Sequence, residues 1–396
     1  MSRVPQARIA TWLVWAFLLG AVAGGLGGPR VEVLRPLADL FVWLLRALAL
    51  PIVAASMLMA SASIAPAQLG RLGGWSVAAY VSASALATLI GAVIGSLVPV
   101  TAAPSLVPGA FSTVPQWTAL LARWLPGADA WSVDLLILPV LVIAAVAGLL
   151  LPRRDDGAPP AVVRHASTFV RLLLWPVWWY APVGVFALTA LTFARPGVAA
   201  GPLAVALLTV YVAQALVFAG LLAALWVGRV PAWRFVADVR EVLVTALATG
   251  SSAAVLPLEL RVATERAGIR ASTAAVTVPL GVSISKVGTA AYLGALAVWA
   301  GQVTGTPLSA LASFQLIAVT MAAAIATPPI SGGGLIMLGL VFQQAGLPLG
   351  LVGVIGGLPL LGKGNTPLNA LGRLVCARLI DPRVAPLAVR HATLGP

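Results

Sequence analysis

Lys286 and Lys363 are the only lysines in the chain; of 24 basic residues, the other 22 are arginines. Both lysines fall in long apolar stretches. Lysine exchanges its proton readily once buried, whereas a guanidinium stays charged. A charge at the middle of a bilayer costs at least ~2.5 kcal/mol on insertion scales, so each lysine must face a cavity or a partner. The carboxylates are distributed in the opposite way. All eleven are Glu32, Asp39, Asp129, Asp134, Asp155, Asp156, Asp238, Glu241, Glu259, Glu265 and Asp381. None lies between residues 266 and 380. Lys286, Lys363 and Arg373 therefore stand in a stretch with no anionic side chain. Such a stretch favours an anionic ligand. It offers no counter-charge to an amine and few of the oxygens that a hard cation requires. The expected ligand is a small mono- or dicarboxylate rather than a zwitterionic amino acid.

Three roles for these cations are open. They stand as fixed positive charges in space that a free cation would otherwise fill. Alternatively, one lysine gains and loses a proton during a transport cycle; burial favours its neutral form and a bound anion its charged form. In the third, the lysines snorkel or hydrogen-bond helix carbonyls. No enzyme chemistry competes well. Ser251 or Ser252 with a lysine lacks an orienting group for a nucleophile. Cys376 is the one cysteine, and His165 and His391 lie far apart, so no metal site and no cofactor are expected.

The elements that carry these residues are apolar helices. Hydrophobic residues make up 60% of the chain and charged residues 9%, with a mean hydropathy of +1.02. A soluble domain carries roughly 25% charged residues, so a cytosolic enzyme, a disordered chain and a secreted disulfide scaffold are excluded. The net charge of +13 does not point to nucleic acid, because the arginines sit singly between apolar runs. A spanning helix needs about 20 residues. Candidate spans are 9–28, 38–64, 75–99, 133–151, 167–193, 202–228, 272–301 and 350–379. The first is read as a retained span rather than a removed signal. Stretches 232–268 and 308–347 are each broken near the middle, by Thr249 to Ala254 and by Thr327 to Gly334. Irregular backbone at membrane depth must be covered by protein or line a cavity. Both stretches are therefore read as re-entrant hairpins, and paired interrupted segments mark a midplane binding site. The hairpin tips at Ser251-Ser252 and Gly332–Gly334 add N–H donors for an anion.

With the N-terminus inside, Arg3, Arg8, Arg71, Arg153, Arg154, Arg164, Arg229, Arg234, Arg261, Arg266, Arg270, Arg378, Arg383 and Arg390 are inside, and only Arg30, Arg35, Arg123 and Arg195 are outside. This bias predicts cytoplasmic N- and C-termini in the inner (cytoplasmic) membrane. Segment 101–130 reads as an outer loop, and Arg153 to Pro160 as a hydrophilic connector. Trp175, Trp178 and Trp179 beside Tyr180 read as an interfacial aromatic belt. Arg46 is expected to reach an interface. Glu259 is expected to pair locally with Arg261, and Pro367 to remove a hydrogen bond inside the last span or to kink it for packing.

Several stretches resemble the dicarboxylate/amino acid:cation symporter family, the glutamate-transporter-like proteins. Residues 48–66, LALPIVAASMLMASASIAP, look like that family's second span, and Tyr180 to Leu188 like its fifth. Ser251-Ser252 sits where the family has a serine-rich first hairpin tip. Gly332-Gly333-Gly334, then Ile336-Met337-Leu338 and Gly346-Leu347-Pro348, is similar to its second hairpin. The resemblance implies an all-α polytopic protein of eight transmembrane helices and two re-entrant hairpins. It implies a homotrimer in which a transport domain slides as an elevator against a scaffold. The chain then divides as 1–66 (first two spans), 67–228 (spans three to six), 229–269 (hairpin 1), 270–302 (span seven), 303–348 (hairpin 2) and 349–396 (span eight and tail).

The departures from the family pattern are as informative. Where the family reads Asn-Met-Asp-Gly-Thr in span seven, this chain reads Ser285-Lys286-Val287-Gly288-Thr289. In span eight the positions that match the family's amine-binding aspartate, substrate arginine and sodium-binding asparagine and aspartate are Gly362, Asn365, Asn369 and Arg373. By this resemblance the substrate site comprises Ser251, Ser252, Lys286, Thr289, Ile330, Gly334, Lys363, Asn365, Thr366 and Asn369. The ion-site positions are Gly281, Ser285, Val287, Asn369 and Arg373. The expected function is elevator transport of a small organic anion without sodium. The alternatives are a sodium-coupled dicarboxylate or amino acid symporter, and a degenerate member acting as an anion channel or sensor.

Overall fold

The computed structural model describes residues 6–62, 71–100, parts of 140–151, 161–195, 201–306, 310–328, 333–358 and 360–381. All regular elements among them are helical. Helix α1 (Gln6–Gly27) runs through a short 3-10 segment (Gly28–Leu34) into α2 (Arg35–Ala62). Helix α3 is Arg71–Leu97, α4 is Ala161–Phe193 and α5 is Gly201–Val227. Then come α6 (Ala232–Thr249) and α7 (Ser252–Glu265), followed by α8 (Ala271–Ile284) and α9 (Val287–Thr304). The chain closes with α10 (Ala310–Ala326), α11 (Gly333–Gln344), α12 (Gly350–Gly356), α13 (Leu360–Lys363) and α14 (Asn365–Ile380).

Four described stretches are long and apolar enough to cross a membrane: Thr11–Leu44, Leu72–Leu97, Gly201–Val227 and Ala271–Thr304. Their outward faces carry large apolar side chains, among them Trp15, Leu26, Leu97 and Trp226. Water would leave that surface poorly solvated, whereas lipid matches it. This is the build of a polytopic membrane protein. Trp175 and Trp179 belong to the same outward face, tilted against each other, and Trp179 also meets Trp12.

Lipid provides no hydrophobic drive between apolar helices, so close backbone approach does the packing. Gly91 and Gly95 on α3 lie against the backbone of Ala291 and Ala295 on α9, and Gly294 on α9 lies against Thr88 in return. Gly20 and Gly24 bring α1 onto α4 in the same way. Helices α8 and α9 end up almost wholly buried, surrounded by α3, α5, α7, α10, α11 and α14.

Each interrupted stretch forms two helices that pack on each other, α6 with α7 and α10 with α11. The α6–α7 turn rests on Gly250, whose φ of 60° is the left-handed conformation that ends helices. Three expectations need correction. Span seven is not one helix: α8 stops at Ile284 and α9 restarts at Val287, leaving Ser285 and Lys286 at the break. Span eight is three pieces, α12, α13 and α14, separated at Gly357 and Gly364. Pro367 consequently falls in the first turn of α14, where its missing N–H has no intrahelical acceptor to lose. Most of 133–151, segment 101–130, the 153–160 connector, Ile330, Ser331, Gly332, the tail beyond 381 and the Arg46 side chain lie outside the described residues.

Candidate functional site

The breaks in spans seven and eight face each other and the first hairpin. The residue that joins them is Arg373 on α14, fully buried. It donates from Nε to Glu259 Oε2 at 3.1 Å and from Nη2 to Glu259 Oε1, a two-pronged pair with a side chain that is itself fully buried on α7. Nη1 reaches Ser252 Oγ at 3.4 Å. The expected Glu259–Arg261 pair does not form. Residues two apart on a helix point to opposite sides, and Arg261 instead pairs with Glu241 on α6 at 2.9 Å. The picture of a cationic core without a carboxylate is corrected too: hairpin 1 brings Glu259 in from outside the 266–380 interval.

Gly281 on α8 makes room for this arrangement. A Cβ there would lie 2.7 Å from both Cγ and Cδ of Arg373 and 3.0 Å from Tyr80 Cζ. Tyr80 on α3 closes the other side, its hydroxyl donating to the Thr277 carbonyl at 3.0 Å. The ion-site positions Gly281 and Arg373 are thus in contact, with an arginine side chain filling the space between them. Ser285 is buried beside them, and its Oγ has no partner among the described residues. Val287 packs on Gly372, 2.7 Å from where a Cβ would stand.

Lys286 caps the break in span seven. Its ammonium donates to the Val282 carbonyl in the last turn of α8 at 2.9 Å, and its backbone N–H donates to Ser84 Oγ on α3 at 3.2 Å. A cation at a helix C-terminus meets the negative end of the dipole and satisfies an orphan carbonyl. The third role considered for the lysines, a bond to a helix carbonyl, describes this contact.

Asn369 serves the opposite end of the break. Its Oδ1 accepts from the N–H groups of Gly288 (2.8 Å) and Thr289 (3.3 Å) in the first turn of α9, and its Nδ2 donates to Thr289 Oγ1 at 3.0 Å. Span eight thereby caps span seven, and the Asn369 amide is committed to that task. Gly288 allows the approach: a Cβ there would stand 2.5 Å from the Asn365 carbonyl oxygen.

Asn365 opens toward hairpin 2. A Cβ built on Gly334 would lie 3.3 Å from Asn365 Nδ2, and one on Gly362 3.8 Å from it. The other end of the same amide, Oδ1, accepts from Gln214 Nε2 on α5 at 2.8 Å. Lys363 precedes it, half-buried, with no hydrogen-bond or ion-pair partner among the described residues. Thr366, the next residue, is also buried. Ser251 caps α7 from its own N-terminus, accepting from the Ala254 N–H at 3.3 Å. Of the expected site residues, Asn365 and Thr289 come together against Gly334, and Asn369 joins them through Thr289. Ser252, Gly281 and Arg373 form a second group with Glu259, and Lys286 sits at the span-seven break.

Three residues of this arrangement were not picked out from the sequence. Gln214 carries a signal, being the only amide or charge in the 27 residues of α5, and a lone polar group in an apolar span is a functional candidate. Ser84 and Tyr80 carry none, since serine and tyrosine are common in such helices.

The chain is similar to known proteins over most of its length. The family model described as "Sodium:dicarboxylate symporter family" matches residues 9–382. A protein named C4-dicarboxylate transport protein from Caulobacter vibrioides is 30% identical over 345 residues, covering 82% of each chain. Proteins of the same name from Verminephrobacter eiseniae and Deinococcus radiodurans are each 25% identical. They cover 96% and 93% of this chain and 91% and 87% of their own lengths.

Proposed function

The chain belongs to the sodium:dicarboxylate symporter family, and we propose that it carries a small mono- or dicarboxylate across the inner membrane by an elevator mechanism that does not use sodium. In this reading eight spans and two re-entrant hairpins assemble as a homotrimer, with both chain ends in the cytoplasm. The bilayer and an anionic organic substrate are its partners.

The observation that carries the reading is the arginine packed against Gly281. Its aliphatic stem lies against Gly281 on α8 and its guanidinium pairs with Glu259 on α7, so the side chain fills ground that the family resemblance gives to an ion. Lys286 supports it at the neighbouring break. Half-helix C-terminal carbonyls coordinate sodium in transporters of broken-helix design, and here the Val282 carbonyl is already taken by an ammonium. The Arg373 side chain and the Lys286 amino group thus stand in the place of a soluble cation. Substrate contact falls to Lys363 and to the Asn365 amide facing Gly334. No carboxylate among the described residues pairs or hydrogen-bonds with either of them.

The substrate class is tested by ligand-induced thermal stabilisation of the detergent-purified protein in sodium-free buffer. Succinate and fumarate are expected to raise the melting temperature, while aspartate, which adds an amine to the same skeleton, leaves it unchanged. Stabilisation by aspartate above succinate overturns the anion reading.

A further inference from the structure

We propose that Gln214 is a positioning residue that fixes which end of the Asn365 amide meets the substrate, and thereby makes the site a reader of acceptor oxygens. The inference rests on the transporter reading above and deepens it. An asparagine amide has a donor end and an acceptor end of nearly equal size, so by itself Asn365 would greet a carboxylate or an ammonium with equal ease. The Gln214 Nε2 hydrogen bond occupies Oδ1 at 2.8 Å. That leaves Nδ2 turned toward Gly334 and Gly362. Nδ2 has no acceptor among the described residues.

Gln214 is itself held. It is buried in the middle of α5, and its Oε1 lies so close to Gly364 that any side chain there would displace it. Gly364 therefore protects the amide's seat. Neighbouring Tyr211, one turn earlier on α5, donates to the Leu360 carbonyl at 2.7 Å and ties the same helix to α13. The whole face of α5 thus holds the span-eight break in one register. Selection by a fixed hydrogen-bond pattern is stronger than selection by shape, because the wrong ligand leaves a buried group unpaired.

The experiment compares succinate with succinamate, in which one carboxylate is replaced by a carboxamide, through their dissociation constants for the wild-type protein, Q214E and Q214M. A glutamate has no N–H to give, so Asn365 must turn its Nδ2 inward and show Oδ1 to the ligand. Wild type is expected to prefer succinate; Q214E should lose that preference by about tenfold or more. Q214M removes the tether without adding a charge and should narrow the preference in the same direction. A purely structural Gln214 would weaken both ligands equally and keep their ratio. An unchanged ratio in whichever variant folds, or a wild type that does not distinguish the two, overturns the proposal. A wild type that binds neither ligand overturns the carboxylate reading beneath it, and the two failures are thereby separated.

Discussion

Replacing Glu259 with alanine is expected to destabilise the protein by about 3–5 kcal/mol, the usual cost of leaving one member of a buried pair without the other. Arg373 cannot shed its charge, and among the described residues its remaining contact would be one long bond to Ser252 Oγ. The variant should melt far below the wild type or fail to yield a monodisperse peak on size exclusion. The double variant Glu259→Leu, Arg373→Met removes both charges together and should recover most of the loss, since a buried pair is often replaceable by apolar residues of similar size. A Glu259→Ala protein as stable as wild type would mean that the pair does not hold α7 to α14.

Lys363→Met is expected to have the largest effect on transport. Unlike Lys286 and Arg373, Lys363 has no partner among the described residues, so its loss strands nothing and the fold should persist. A charge-assisted hydrogen bond to substrate is worth about 1.5–3 kcal/mol. Uptake of succinate at limiting concentration should therefore drop roughly 10- to 150-fold in proteoliposomes, with a near-normal melting temperature. Lys363→Arg should keep part of the activity. Full uptake by the methionine variant would assign Lys363 a snorkelling role only.

The periodic and compositional features carried most of the architecture. Long apolar runs located α1, α2, α3 and α5, and the glycine- and serine-rich interruptions located the two helix pairs, because breaks in apolar runs are visible in one dimension. The breaks in spans seven and eight were hidden. Ser285-Lys286 and Gly364 interrupt their helices with no proline at the break, and an apolar count runs straight through them; only the break after Gly357 carried a signal, Pro359. The site was legible in its cast but not in its pairings. The lysines and Arg373 stood out by residue type. That Arg373 would reach Glu259, 114 residues away, depends on how α7 packs on α14, which no local pattern encodes. Glu259 was assigned to the nearest cation in sequence, and helix geometry turns that cation toward Glu241 instead.

Replacement of sodium by built-in charge is tested most directly by the initial rate of radiolabelled succinate uptake into proteoliposomes, in sodium medium and with sodium replaced throughout by choline. Rates equal in the two media are the predicted result. Uptake that vanishes in choline and returns in proportion to added sodium would contradict the account, and would mean that backbone carbonyls bind the ion despite Arg373 and Lys286.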